Sequence, residues 1–192
     1  MNALIADYVS KARHRITLAE ARAMQAAGVF GDRDFELIDG ELIDMGGDGG
    51  RSINWNAAIN RWLTVSLAER SDLVVVPDKT LALSDVDGPK PDFWVFPDAI
   101  ANPEDVRGPD VLLAIEVSDR TLEKDLGPKA KLYEAFGVRE YWVIDCAARR
   151  VFAHRLGPTG YGAPVVAEAH DTLSAALIPG LTLRLDRLPR IG

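Results

Sequence analysis

The sequence predicts an α/β fold, and three patterns support this prediction. Residues 109–145 read in succession as a buried strand, a helix and a second strand. Residues 35–45, FELIDGELIDM, alternate apolar and acidic residues on both sides of Asp39-Gly40, which is typical of a β-hairpin. Residues 17–27 and 53–70 show helical periodicity. We therefore expect strands and helices to alternate along one chain.

Length, charge and cysteine content limit what the protein can be. At 192 residues and 47% hydrophobic, we expect one domain over 1–192, with a core at about 17–145. No apolar run approaches the roughly 18 residues of a membrane span. The N-terminus does not resemble a signal peptide, so a cytoplasmic protein without membrane contact is expected. Cys146 and three histidines lack zinc-ligand spacing. The net charge of -7 argues against nucleic-acid binding by bulk electrostatics, although not against a local basic cleft.

Two of the predicted helices lie within the first 70 residues. Thr17 and Glu20 form a capping-box pattern, and Gly28 ends the Ala-rich run that follows, so the first helix is expected at about 17–27. The second is expected at 53–70, where Trp, Ile and Leu recur at helical spacing.

Further strands are predicted after the second helix. Residues 73–77 are a β-branched run, and 80–83 is expected as the partner strand. Residues 91–96 form the next strand, with Asp92 at its very start, and the following strand ends at Glu116. Beyond Asp145, short strands at 151–156, 161–169 and 181–185 are expected to form a β-hairpin cover, 150–186, on the α/β core.

The candidate catalytic residues are Asp92, Glu116 and Lys129. Hydrolysis of a phosphodiester needs a divalent metal held by carboxylates and a cation that orients water or stabilises developing charge. Two acids from neighbouring strands and one lysine meet that minimum, and Mg²⁺ and Mn²⁺ prefer such oxygen ligands. The alternative is that Asp92 caps a turn, Glu116 pairs with a surface arginine and Lys129 is solvated. Spacing alone leaves both interpretations open.

The following resemblance favours the first interpretation. FELIDGELIDM, KPDFWVF and AIEVSDRTLEKDLGPKAKLYEAFGVREYWVID occur in this order, and the chain closes with ALIPGLTLRLDRL. With these motifs, from about Phe35 to Asp145, the sequence resembles the Uma2 family, a branch of the PD-(D/E)XK nuclease-like superfamily. The resemblance implies a restriction-endonuclease-like fold with a central mixed β-sheet, flanking helices and β-hairpin additions.

The resemblance also implies a metal site. Asp92 falls on the family's Pro-Asp aspartate and Glu116 on its second acid, which would be ligands of Mg²⁺ or Mn²⁺. The wider superfamily has a lysine two residues after that acid, whereas this chain has Ser118. In Uma2 sequences the lysine of the following helix is the natural substitute, and here it is Lys129. Family members often carry a histidine where this chain reads Ser-Ile-Asn at 52–54, so a histidine role is in doubt.

Helical geometry distinguishes Lys129 from its neighbours. At 100° per residue, Leu126, Lys129 and Tyr133 share the apolar face, while Lys131 lies about 200° from Lys129. Lys129 is therefore expected to point toward the strand ends, with a stem-packed, snorkelling lysine as the alternative. Tyr133 could contact a phosphate, although a packed aromatic is favoured. Glu41 directly follows the hairpin turn and is either a third metal ligand or a solvated hairpin charge.

The leading hypothesis is a magnesium-dependent endonuclease acting on DNA, with Asp92 and Glu116 as metal ligands and Lys129 orienting the water. A second hypothesis is a non-catalytic, dimeric binding or structural protein that keeps the fold, which the acidic charge and the missing strand lysine favour. A third is hydrolysis of RNA. The exposed β-hairpins offer surfaces for a homodimer, in which two active sites would suit double-strand cleavage.

Overall fold

The computed structural model describes residues 14–45 and 50–188. Contacts divide this part of the chain into two compact units, one of 14–45 with 82–89 and the other of 50–81 with 90–188. The predicted hairpin belongs to the first unit. Asp92, Glu116 and Lys129 all belong to the second.

The first unit contains one helix and the hairpin: α1 (Leu18–Ala26), β1 (Phe35–Ile38) and β2 (Glu41–Asp44). The capping box is confirmed, because the Thr17 side chain accepts from the Glu20 N–H and the Glu20 carboxylate accepts from the Thr17 N–H. Asp39 and Gly40 both have positive φ, 53° and 73°, as a two-residue hairpin turn requires. The hairpin prediction is therefore confirmed.

The second unit contains the sheet and the remaining helices. Its helical elements are α2 (Gly50–Ser66), α3 (Leu122–Lys124), a π-helical segment (Asp125–Lys129) and α4 (Ala130–Ala135). Its strands are β3 (Leu73–Pro77), β4 (Phe93–Pro97), β5 (Leu113–Ser118), β6 (Glu140–Asp145), β7 (Arg150–Gly157), β8 (Gly160–Tyr161), β9 (Val165–Glu168), β10 (Leu173–Ser174) and β11 (Thr182–Leu183).

Seven of these strands form one mixed sheet in the order β3-β4-β5-β6-β7-β8, with β9 also paired to β7. Only β5 and β6 run parallel, because α3, the π segment and α4 connect them as a crossover, while their neighbours pair antiparallel. The predicted α/β class with a central mixed sheet and flanking helices is confirmed.

The sheet is covered on both faces. Ile59 and Leu63 of α2, each fully buried, belong to the same hydrophobic cluster as Phe93, Ile115 and Trp142. Strand residues one position out of phase with these point to the opposite face, since side chains alternate along a strand. Tyr133 and Tyr141 are buried on that opposite side, with ring centroids 4.7 Å apart. The two covered faces explain why β5 and β6 are buried along their whole length.

Three predicted elements differ from the structure. The helix predicted at 53–70 runs from Gly50 to Ser66. Residues 80–83, predicted as the partner strand of β3, are irregular, and β3 pairs with β4 instead. Leu81 and Leu83 are nevertheless buried. β7, β8 and β9 extend the sheet beyond β6 instead of covering it, because β7 pairs antiparallel with β6. β10 and β11 form a separate two-stranded hairpin whose Leu173 and Leu183 belong to the hydrophobic core, as expected of a cover. Among the described helices, none combines the length and apolarity that a membrane crossing needs.

Candidate active site

The three sequence-predicted residues lie around one end of β5. Asp92 directly precedes β4, Glu116 lies in β5, and Lys129 ends the π segment. The β4–β5 register pairs Phe93 with Ile115, so continuing it by one residue sets Asp92 opposite Glu116. The fold therefore brings together residues that are up to 37 positions apart in sequence.

Two donors from different elements hold the Asp92 carboxylate. Its Oδ2 accepts the backbone N–H of Val117 at 2.7 Å, and its Oδ1 accepts an N–H of the Asn56 amide at 2.9 Å. Val117 directly follows Glu116, so Asp92 is bonded to the strand that carries the second acid. Asp92 is partly buried, and these two contacts fix the direction of its carboxylate.

Glu116 forms a buried ion pair with Lys129. The Lys129 ammonium lies 2.8 Å from Glu116 Oε1, and both residues are only 5% exposed. The Tyr133 hydroxyl donates to the same oxygen at 3.0 Å. The prediction that Lys129 points toward the strand ends is confirmed, and Lys131 is exposed as expected. Tyr133 is a fully buried aromatic whose hydroxyl binds one of the candidate acids.

A π-helical turn delivers Lys129 to the site. Asp125 begins this turn and is buried, and its Oδ2 accepts the hydroxyls of Ser118 and Thr121 at 2.7 and 2.5 Å. Ser118, two residues after Glu116, binds the helical turn that carries Lys129. Single π turns within α-helices are frequent at functional sites.

A pocket of about 270 Å³ adjoins Asp92. Asn56 and Asn60, one helical turn apart on α2, line it together with Asp78 and Asp92. Asp78 forms an ion pair with Lys90 at 3.3 Å, and its backbone N–H donates to the Asp92 carbonyl oxygen. Asn56 was not singled out by the sequence patterns.

Glu41 and His154 are two further side chains of a type that can bind metal ions. Within residues 14–45 and 50–188, no group of three or more His, Cys, Asp or Glu side chains could hold a metal ion. Glu41 is an exposed residue of the first unit, and its role as a ligand stays a prediction. His154 is buried between the rings of Tyr141 and Tyr161, and burial lowers the pKa of its imidazole.

The Tyr133 hydroxyl gives a testable contribution to stability. Tyr133→Phe removes a hydrogen bond to a buried carboxylate, so the free energy of unfolding should fall by about 1.5–3 kcal/mol. Tyr161→Phe is the matched control, because its hydroxyl donates to the Val138 carbonyl, an uncharged acceptor, at 2.7 Å. That variant should lose only about 0.5–1.5 kcal/mol. Urea unfolding of both variants measures the difference, and a loss for Tyr133→Phe no greater than for Tyr161→Phe would contradict a charged acceptor.

Comparisons with known proteins bear on both the fold and the family. The family model described as "Uma2: Putative restriction endonuclease" matches residues 20–186. A solved structure from Anabaena variabilis, described as a putative nuclease belonging to DUF820, superposes with a TM-score of 0.70. The alignment covers 89% of this chain and 96% of that one at 17% sequence identity, so this likeness shows the fold alone. No curated protein matches the chain in sequence.

Proposed function

Because the chain belongs to the Uma2 family of putative restriction endonucleases, we propose that it is a metal-dependent endonuclease that hydrolyses phosphodiester bonds of DNA. One observation carries the proposal, namely the linked arrangement at the end of β5. Asp92 binds the N–H that follows Glu116, and Glu116 binds Lys129. Two acids and a cation at one strand end are the minimum that metal-assisted phosphodiester hydrolysis needs.

Mg²⁺ or Mn²⁺ is the proposed cofactor, with Asp92 and Glu116 as its protein ligands. Both offer carboxylate oxygens, the hard donors that these ions prefer, and Mg²⁺ commonly uses one or two carboxylates and completes its shell with water and substrate phosphate. A bound ion would supply Lewis-acid chemistry, polarising the phosphodiester and neutralising the charge that develops on it.

The chain's own residues orient this proposed chemistry. Lys129 holds its ammonium against Glu116 Oε1, so its charge is kept at the strand end, where it would orient the attacking water. Its burial excludes solvent around that charge, which strengthens electrostatic effects on a reacting phosphate. Tyr133 donates to the same oxygen and so restrains the Glu116 side chain.

DNA is the proposed substrate, and a cytoplasmic homodimer is the proposed working form. With a net charge of -7, binding would depend on local cationic contacts with phosphates and not on the overall field. Two copies of the site, related by two-fold symmetry, would suit cleavage of both strands.

Cleavage of plasmid DNA tests the proposal. Supercoiled plasmid incubated with the protein and Mg²⁺ or Mn²⁺ should be converted to nicked and linear forms, and EDTA should stop the conversion. A structured RNA is included as a parallel substrate. Cleavage of RNA alone would reject DNA as the substrate, and an absence of cleavage of either nucleic acid with both metals would contradict the proposed activity.

One observation favours the alternative, a non-catalytic dimeric protein with a nuclease fold. Glu116 already has a buried cationic partner, so its charge is compensated without a metal ion. In that case the pair would serve stability, and the protein would bind partners through its surface. Binding of Mg²⁺ or Mn²⁺ by the wild type separates this alternative from the leading proposal.

A further inference from the structure

Asn56 is a polar residue on the apolar side of α2. Ile59 and Leu63 follow it by three and seven residues and are both fully buried in the core that α2 forms with the sheet. Residues at this spacing share one helix face, so Asn56 continues the stripe that faces the sheet. A polar side chain at such a position calls for a specific partner.

That partner is Asp92. The Asn56 Nδ2 donates to Asp92 Oδ1 at 2.9 Å, while the Val117 N–H donates to Oδ2. The orientation of the amide follows from the contact, because an ionised carboxylate can only accept and therefore faces the nitrogen. Each oxygen of Asp92 is thus held by a donor from a different element, so a rotation of the carboxylate would break both contacts.

The oxygen of the Asn56 amide lacks such a contact. Asn56 Oδ1 is buried and has no hydrogen-bond partner among residues 14–45 and 50–188. A buried acceptor without a partner opposes folding, and an apolar side chain of similar size would remove that cost. The donor that Asn56 offers to Asp92 therefore accounts for a polar residue at this position, whereas core packing does not.

We propose that Asn56 is a positioning residue for the metal site, which holds the Asp92 carboxylate in the direction in which it binds a divalent cation. This inference rests on the proposed function, because it takes Asp92 to be a metal ligand. The pocket lined by Asn56, Asn60 and Asp92 gives a cation access to this carboxylate. Hydrogen-bonding partners that orient a ligand in this way commonly contribute a factor of about 10–100 to metal affinity.

The test is Mn²⁺ binding, measured from the electron paramagnetic resonance signal of free Mn²⁺. Asn56→Leu, which matches the asparagine in size, should raise the Kd at least about tenfold relative to the wild type. Asn56→Ala, which removes the amide and adds no methyl groups in its place, is measured alongside it. Asn54→Leu is the matched control, since Asn54 is an exposed asparagine of the same helix outside the residues that line the pocket, and its Kd should stay at the wild-type value.

Thermal unfolding of the metal-free variants in EDTA distinguishes positioning from a purely structural role. Asn56→Leu should unfold near the wild-type temperature, because removal of the buried acceptor that has no partner offsets the loss of the hydrogen bond to the partly buried Asp92 carboxylate. Unchanged Mn²⁺ affinity in Asn56→Leu and Asn56→Ala, with the wild type binding Mn²⁺, overturns this inference and leaves the proposed function standing. An equal loss of affinity in Asn54→Leu also overturns it. A wild type that binds no Mn²⁺ overturns the proposed function and this inference together.

Discussion

The Lys129→Met variant should unfold at a much lower urea concentration than the wild type, with a free energy of unfolding lower by about 3–5 kcal/mol. Methionine preserves the length and packing of the lysine stem but removes the charge that compensates Glu116. Because Glu116 is only 5% exposed, its carboxylate would then be buried without its cationic partner. The Tyr133 hydroxyl alone cannot replace a full opposing charge.

A second substitution shows whether the loss comes from the unpaired charge. Adding Glu116→Gln to Lys129→Met removes the buried charge, so the double variant should regain most of the lost stability, as replaced buried ion pairs often do. Lys131→Met is the control. Lys131 lies two residues after Lys129 and is exposed, so this substitution should change the free energy of unfolding by less than about 0.5 kcal/mol. Equal urea midpoints for Lys129→Met and Lys131→Met would show that the pair does not form in solution.

The Asp92→Ala variant should lose magnesium-dependent DNA cleavage altogether while remaining folded at 25 °C. The substitution removes one of the two proposed metal ligands, and the charge of the other, Glu116, is already compensated by Lys129. It also removes the acceptor of the Val117 N–H, so a loss of about 1–3 kcal/mol in stability is expected beside the loss of activity. Circular dichroism and urea unfolding measure the stability, and plasmid cleavage measures the activity.

Two variants complete this experiment. Asp92→Asn keeps an oxygen that can accept from Val117 but lowers the ligand charge, so it should be more stable than Asp92→Ala and equally inactive. Asp98→Ala removes an exposed acid just beyond the opposite end of β4 and should cleave at the wild-type rate. Cleavage by folded Asp92→Ala at the wild-type rate would remove Asp92 from the site.

The central unit of the fold could be predicted from sequence because its patterns are local. The apolar runs of β5 and β6 are long and uninterrupted, and the helical spacing of Lys129 and Tyr133 indicated the buried face correctly. The π turn ends at Lys129, so it changes the helical phase only of the residues before Lys129. The four-residue step from Lys129 to Tyr133 keeps α-helical spacing. The face assignment therefore remained correct despite the irregular helix.

The contacts that hold the site together are not local, which is why the sequence did not reveal them. Asn56 lies 36 residues before Asp92, and its only sequence signal was a polar residue in phase with Ile59 and Leu63. The role of Asp125 was likewise hidden from the sequence patterns. In the structure it is a buried acceptor for Ser118 and Thr121, a contact that depends on how the helical turn packs on β5.

Strand partners were the other source of error. Residues 80–83 contain two buried leucines, but burial does not require a strand ladder, and β3 pairs with β4 instead. The C-terminal strands have the short, turn-bounded patterns of hairpins, and these patterns do not specify whether a strand covers a sheet or extends its edge. In the structure β7 continues the sheet through its pairing with β6.

Calorimetric titration of the wild type with Mg²⁺ and Mn²⁺ tests most directly whether Asp92 and Glu116 form a metal site. We predict a saturable binding of Mg²⁺ or Mn²⁺ that the folded Asp92→Ala variant has lost. An absence of binding in the folded wild type, with either cation, would contradict the metal site and favour the non-catalytic protein.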